Sequence, residues 1–130
     1  MTAFHIKMIV NTRPRKRNAP RPAEKAALGY LQWLRGRDCY AANADGPDCD
    51  GRMEAAHVDY AGGKGMGTKV ADRYAVPMCQ AHHARQHRIG WFYFQTEMCR
   101  PQDHALKAAD AYWRAWPGRI AWERKLEERA

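Results

Sequence analysis

One thiol and three imidazoles fall within a nine-residue stretch, Cys79-Gln-Ala-His82-His83-Ala-Arg-Gln-His87. On a helix, positions three or four apart share a face. Cys79 then pairs with His82, and His83 pairs with His87, which gives two metal-binding edges on one helix. Joining His83 to Cys79 instead would leave His87 without a partner and set His82 against Gln86. Only the first assignment leaves no imidazole idle. About twenty residues upstream, Glu54-Ala-Ala-His57 brings one more imidazole.

Each edge suggests its own chemistry. Cys79-x-x-His82 has the short spacing used by zinc sites and needs two further ligands. Cys39 and Cys49, separated by a turn-rich stretch, are the natural candidates, with Cys99 in reserve should His82 lie elsewhere. Cys39, Cys49, Cys79 and His82 would form a closed, tetrahedral structural site. The plainer alternative is that some of these cysteines are buried small apolar residues. A cation on His83 and His87 would keep open positions, which catalysis requires. An anionic phosphate can take one of them. Imidazole titrates near working pH, so His57, on an opposing strand, can take a proton from an attacking water. Asp59, two residues on and on the same strand face, is a candidate third ligand or orienting group for the base. Taken alone, His57 would read as a satisfied core histidine.

These residues need elements to hold them. Met53 to Tyr60 suits a strand with His57 near its middle, Tyr74 to Met78 a second short strand, and Cys79 to about Arg88 a helix. The order around the histidines is strand, loop, strand, helix. The loop between the strands, Ala61 to Thr68, is too glycine-rich for regular structure. Upstream, alternating Phe4, Ile6, Met8 and Val10 predict a strand over Phe4–Val10. The proline- and arginine-rich run from Arg13 to Pro22 predicts an extended arm, either a phosphate-contacting element or a solvated linker. Ala23 to Arg35 reads as a helix with a stripe of Ala27, Leu28, Leu31 and Leu34, followed by a turn-rich loop from Asn43 to Gly51. Leu106, Ala109, Trp113 and Trp116 keep helical spacing until Pro117-Gly118, and a last amphipathic segment covers Arg119 to Arg129. The C-terminal Trp and Tyr residues are expected to pack rather than stack on bases.

The 130 residues suit one domain, read as an N-terminal strand and arm (1–22), a core (23–100) and a helical extension (101–130). Lys and Arg number 22 against 14 Asp and Glu, a formal charge of +8, which favours an anionic partner such as nucleic acid. No charged-then-apolar leader and no membrane-length apolar run is present, so no membrane partner is expected. A cytoplasmic setting is therefore expected, with thiols reduced and free to bind metal.

AAHV (Ala55 to Val58), GKGMGTKVADRYAVPMC (Gly63 to Cys79) and HHARQH (His82 to His87) resemble the HNH, or ββα-metal (His-Me finger), nuclease superfamily. The likeness covers about Cys39 to Trp91. More narrowly, it resembles the phage and prophage branch that includes recombination-enhancement nucleases and DUF968-type proteins. The resemblance implies an α+β fold whose ββα-metal core is braced by zinc and flanked by helices. It further implies His57 as general base, His83 and His87 as ligands of a catalytic divalent metal, and the cysteines as a zinc knuckle. The catalytic ion is expected to be Mg2+, Mn2+, Ni2+ or Zn2+; imidazole ligands favour a transition ion. Two positions depart from the pattern. Ala56 stands where many such enzymes place an Asp or His ligand, so metal binding would rest on two imidazoles plus water, or recruit Asp59 or Asp72. Tyr74 stands where the name-giving Asn belongs, and Asp72 is the nearest short polar side chain that could tie down the loop.

The activity implied is metal-dependent endonucleolytic cleavage of DNA, with a recombinase or another phage recombination or packaging protein as a further partner. Phosphate contacts are expected from Arg13, Arg15, Lys16, Arg17, Lys64, Lys69, Arg73, Arg85 and Arg88. The rival readings are a non-catalytic, zinc-stabilised nucleic-acid-binding or recombination-accessory protein, and the same chemistry on RNA.

Overall fold

The computed structural model describes residues 22–61 and 70–129. The strand expected over Phe4–Val10, the Arg13–Arg17 arm, and Lys64 and Lys69 lie outside the described residues. Among those described, the elements are helix α1 (Leu28–Leu34), strands β1 (Met53–His57) and β2 (Ala75–Cys79), and helices α2 (Gln80–Glu97), α3 (His104–Ala115) and α4 (Arg119–Glu128). The strands form an antiparallel pair in which Met53 faces Cys79 and His57 faces Ala75. A short 3-10 turn, Asp72–Tyr74, leads into β2. The chain is therefore an α+β protein with a small two-stranded sheet.

Alternation along the strands divides the core. Ala56, Val76 and Met78 join Val58, Trp91, Phe94, Ala105 and Ala109 in one cluster. Ala75, with Ala55 packed nearby, turns to a second cluster made with Tyr30, Leu34 and Trp113. Every residue of β2 is buried. Burial of each large apolar side chain contributes about 1.5–3 kcal/mol, so the hairpin is clamped between α2 and α3 on one face and α1 on the other. Helix α3 supplies both clusters, which packs the C-terminal region onto the hairpin.

Strand β2 and the start of α2 each lie one residue later than expected, and three boundaries differ by more. The helix expected over Ala23–Arg35 contracts to Leu28–Leu34, because Asp72 intervenes: its carboxylate accepts the Ala27 N–H at 2.9 Å, and its own N–H donates to Lys25 O at 2.9 Å. Tyr30 takes the inward position, and Leu28, expected in the buried stripe, is 77% exposed. Strand β1 ends at His57 instead of Tyr60, although Val58 N–H still donates to Tyr74 O at 2.8 Å. Helix α2 continues to Glu97 across a break at Gly90, where φ is 81° and ψ 160°. The end expected near Arg88 marks that break and not the end of the helix. Among the C-terminal aromatics, Trp113 packs in the core as expected.

Candidate metal centre and catalytic residues

Cys79 sits at the junction of β2 and α2, where its sulfur accepts the His82 N–H at 3.4 Å and so caps the helix. Loop residues are held over the same helix end, with Gln80 N–H donating to Arg52 O at 2.8 Å and Ala81 N–H to Asp50 O at 3.0 Å. Gly51, at φ +83°, allows the turn; a Cβ there would meet Gln80 at 2.6 Å. Cys49 is thereby suspended above Cys79. Cys39 arrives from the other side, accepting the Cys79 N–H at 3.3 Å, while Tyr40 N–H donates to Pro77 O at 2.6 Å.

The ligand atoms of Cys39, Cys49, Cys79 and His82 all lie within 4.8 Å of one another. His82 Nδ1 is 3.0 Å from Cys79 Sγ and 3.6 Å from each of the Cys39 and Cys49 sulfurs. Zinc–sulfur and zinc–nitrogen bonds of about 2.3 and 2.05 Å at a tetrahedral angle would separate S and N by about 3.6 Å. His82 Nε2 lies 2.6 Å from Pro47 O, a carbonyl that can only accept. The ring hydrogen is therefore on Nε2, and Nδ1 presents its lone pair to the sulfurs.

The thiols fit the same role. Burial raises Cys39. Cys49 is exposed on its outer side, yet desolvation against the cluster and the neighbouring Cys39 and Cys79 sulfurs push it up to about 12. Burial would also raise Cys79, but backbone hydrogen bonds from His82 and Asp50, together with the His82 ring, outweigh it and bring the thiol down to about 7. Converging thiolates repel one another, and a cation removes that repulsion. The four residues can hold a structural metal such as zinc. Cys99, the reserve ligand, lies elsewhere: it is exposed, with its sulfur 3.6 Å from Asp45 Oδ2.

The second histidine pair lies further along α2. His83 Nε2 and His87 Nε2 are 3.1 Å apart, and His83 Nδ1 is 3.0 Å from Glu54 Oε1 on β1. The hydrogen bond from His83 is the main reason the Glu54 carboxyl falls below the usual carboxylate range; Arg52 adds to the effect. An ionised carboxylate only accepts, so His83 carries its hydrogen on Nδ1 and keeps the Nε2 lone pair. Two imidazole nitrogens on one cation at about 2.0–2.1 Å lie roughly 2.9–3.4 Å apart for right-angle to tetrahedral geometry. The observed spacing fits that range, and equally fits a His87 N–H donating to His83. Glu54 sits on the same strand face as Ala56, whose side chain is fully buried in the core.

His57, at the end of β1, meets Asp72: Nε2 and Oδ1 are 2.9 Å apart, and Asp72 is only 1% exposed. With the hydrogen on Nε2, the lone pair of the His57 ring is on Nδ1. Trp91 Nε1–H donates to His57 O at 3.0 Å and fixes the backbone beside the ring. Asp72 is thus joined to His57. Asp59 lines a cleft with Tyr60 and Gly90. Of the arginines, Arg85 is engaged by Glu97 through two contacts of 3.2 and 2.7 Å, and Arg73 lies over the Tyr74 and Trp113 rings, while Arg88 is exposed. Glu54 was missed in the sequence, where its only signal was its two-residue offset from Ala56 along the strand.

Fold and site together define an α+β protein with a Cys3His cluster fit for metal. The chain belongs to the family described as "Protein of unknown function (DUF968)", which matches residues 6–111. No curated protein matches the chain, and no solved structure does. Among the described residues, no helix is long and apolar enough to cross a membrane.

Proposed function

We propose that this chain is a metal-dependent endonuclease of the HNH type, cleaving DNA phosphodiester bonds with residues 23–100 as its zinc-braced core. One observation carries the reading. Two imidazole–carboxylate couples, His57 with Asp72 and His83 with Glu54, radiate from one hairpin–helix unit, and each carboxylate leaves one ring nitrogen basic.

In this reading His83 and His87 hold a divalent cation, and Glu54 fixes the His83 tautomer from behind. When bound, the cation polarises the phosphate and stabilises charge on the leaving oxygen. His57 Nδ1 takes the proton from the attacking water, and the Asp72 carboxylate stabilises the imidazolium that results. The new phosphorus–oxygen bond forms as the bond to the leaving oxygen breaks, and solvent returns a proton to that oxygen. Arg88, Arg73 and the basic residues outside the described segments steer the phosphate backbone. Cys39, Cys49, Cys79 and His82 brace the start of α2 through a structural zinc, and so set the direction of the helix that bears His83 and His87.

The test is cleavage of labelled duplex by His57→Ala and His83→Ala. Both variants should lose activity while remaining folded with zinc content at the parent level. Full activity in His57→Ala would remove the base from this account. One observation favours a rival reading, a non-catalytic zinc-stabilised nucleic-acid-binding or recombination-accessory protein: Ala56 offers no ligand on the strand facing α2. That protein would bind DNA and cut nothing. An RNA substrate run in parallel tests the same chemistry on the other sugar.

A further inference from the structure

The sulfur face of the Cys3His cluster is open to solvent. Cys39, Cys49 and Cys79 all line one cleft of about 670 Å3, with Gly51 and Met53 beside them. Access to the three sulfurs is graded: Cys49 is exposed, Cys39 is half-buried and Cys79 is 1% exposed. His82 is enclosed, 3% exposed, with its Nε2 against Pro47 O. Burial is what keeps structural cysteines inert. Cys49 lacks that protection, so one corner of the cluster combines metal-ligand chemistry with free access.

A coordinating thiol is deprotonated outright, and the thiolate is the nucleophilic form of cysteine. With a metal such as zinc held by the cluster, Cys49 presents a thiolate to the cleft. A partner for it is already in place. Cys39 Sγ lies within 4.8 Å of Cys49 Sγ, and both sulfurs are 3.6 Å from His82 Nδ1. The chain between the two cysteines forms only turns, such as Ala42 N–H to Cys39 O at 2.9 Å, so a local loop adjustment brings sulfur to sulfur. Cys79 is a poorer partner, because it is buried and its sulfur caps α2 by accepting the His82 N–H at 3.4 Å.

We infer that Cys49 is a site of oxidation by hydroperoxides, with Cys39 as the resolving thiol, and that the disulfide they form expels the metal from the cluster. The Cys49 thiolate attacks a peroxide oxygen; the O–O bond breaks, hydroxide leaves, and Cys49 becomes a sulfenic acid. The Cys39 thiolate then attacks that sulfur and displaces a second hydroxide, giving the disulfide. Solvent protons turn both hydroxides into water, so hydrogen peroxide gains the two electrons that the sulfurs lose. Cys79 and His82 alone remain as ligands, short of the four that a structural zinc site uses. A dithiol reductant reverses the oxidation by exchange and restores the ligand set. None of these steps involves His57, His83 or His87, so the inference stands or falls apart from the nuclease reading.

The test treats full-length, zinc-loaded protein with hydrogen peroxide. Zinc release is followed with a metallochromic chelator, and the cysteines are mapped by mass spectrometry of peptides. Zinc should be lost in step with a Cys39–Cys49 disulfide, and a dithiol with added zinc should restore both thiols and metal. Cys49→His keeps a zinc-ligating side chain without the oxidisable sulfur, and its zinc should resist the same peroxide dose. Should that variant bind no zinc, the peptide map of the parent decides alone. Zinc retained by the treated parent, release without a disulfide, or a disulfide built on Cys79 or Cys99 instead would overturn the assignment. So would zinc lost from Cys49→His as fast as from the parent, or a parent that takes up no zinc.

Discussion

Among the described residues, His82, His83 and His57 each have one ring nitrogen against an oxygen that can only accept: Pro47 O, the Glu54 carboxylate and the Asp72 carboxylate. Each commitment selects the atom left free to do chemistry, and that selection can be tested one residue at a time. Glu54→Gln removes the charge that holds the hydrogen on His83 Nδ1. Metal affinity at His83 and His87 should fall about 10–100-fold, measured by calorimetric titration of protein whose cysteine cluster is already filled. Unaltered affinity would mean that Glu54 plays no part in metal binding. Asp72→Asn should lower cleavage at pH 7 by about a hundred-fold, the lower end of what a positioned general base supplies. Asp72 also accepts the Ala27 N–H while fully buried, so the same change should cost about 1–3 kcal/mol of stability. A variant with parental melting and parental cleavage would dissolve the His57–Asp72 couple.

At the scale of elements, α2 carries His82, His83 and His87 and breaks at Gly90. Gly90 adopts a conformation open almost solely to glycine, and a Cβ there would meet nothing within 4 Å. Gly90→Ala therefore incurs a purely backbone cost of about 1–3 kcal/mol, read as a lowered melting temperature. Should the variant prove as stable as the parent, the break would have no energetic weight. The two histidine edges were legible in the sequence because helical spacing fixes them once Cys79 opens the helix. Cys39 and Cys49 were legible by chemistry, as thiols that a short Cys-x-x-His edge still needed. Glu54 was not, since its contact with His83 depends on how the hairpin packs on the helix. Nor was the Asp72–His57 couple, which forms across a turn. Leu28 misled for a similar reason: periodicity finds a stripe but cannot foresee that Asp72 will delay the helix start.

At the scale of the whole molecule, two properties bear on the account: a Cys3His cluster that can hold a metal and a sequence of formal charge +8. The cysteine cluster joins the loop containing Cys39 and Cys49 to the strand–helix junction at Cys79 and His82, so metal binding there adds directly to folding free energy. Cys79→Ser should lose zinc, measured by elemental analysis, and melt well below the parent; a zinc-replete variant of parental stability would remove Cys79 from the ligand set. The surplus of Lys and Arg predicts DNA affinity that falls steeply with salt. Deleting residues 1–17 should flatten that dependence, and an unaltered slope would make the arm a spacer.

The central claim is hydrolysis at His57 supported by a cation at His83 and His87. It is tested most directly by nicking of supercoiled plasmid, using protein stripped of its labile metal and given back magnesium, manganese, nickel or zinc one at a time. The account predicts cleavage restored by at least one of these ions and absent from both His57→Ala and His83→Ala. Tight plasmid binding with no cleavage under any ion would contradict it.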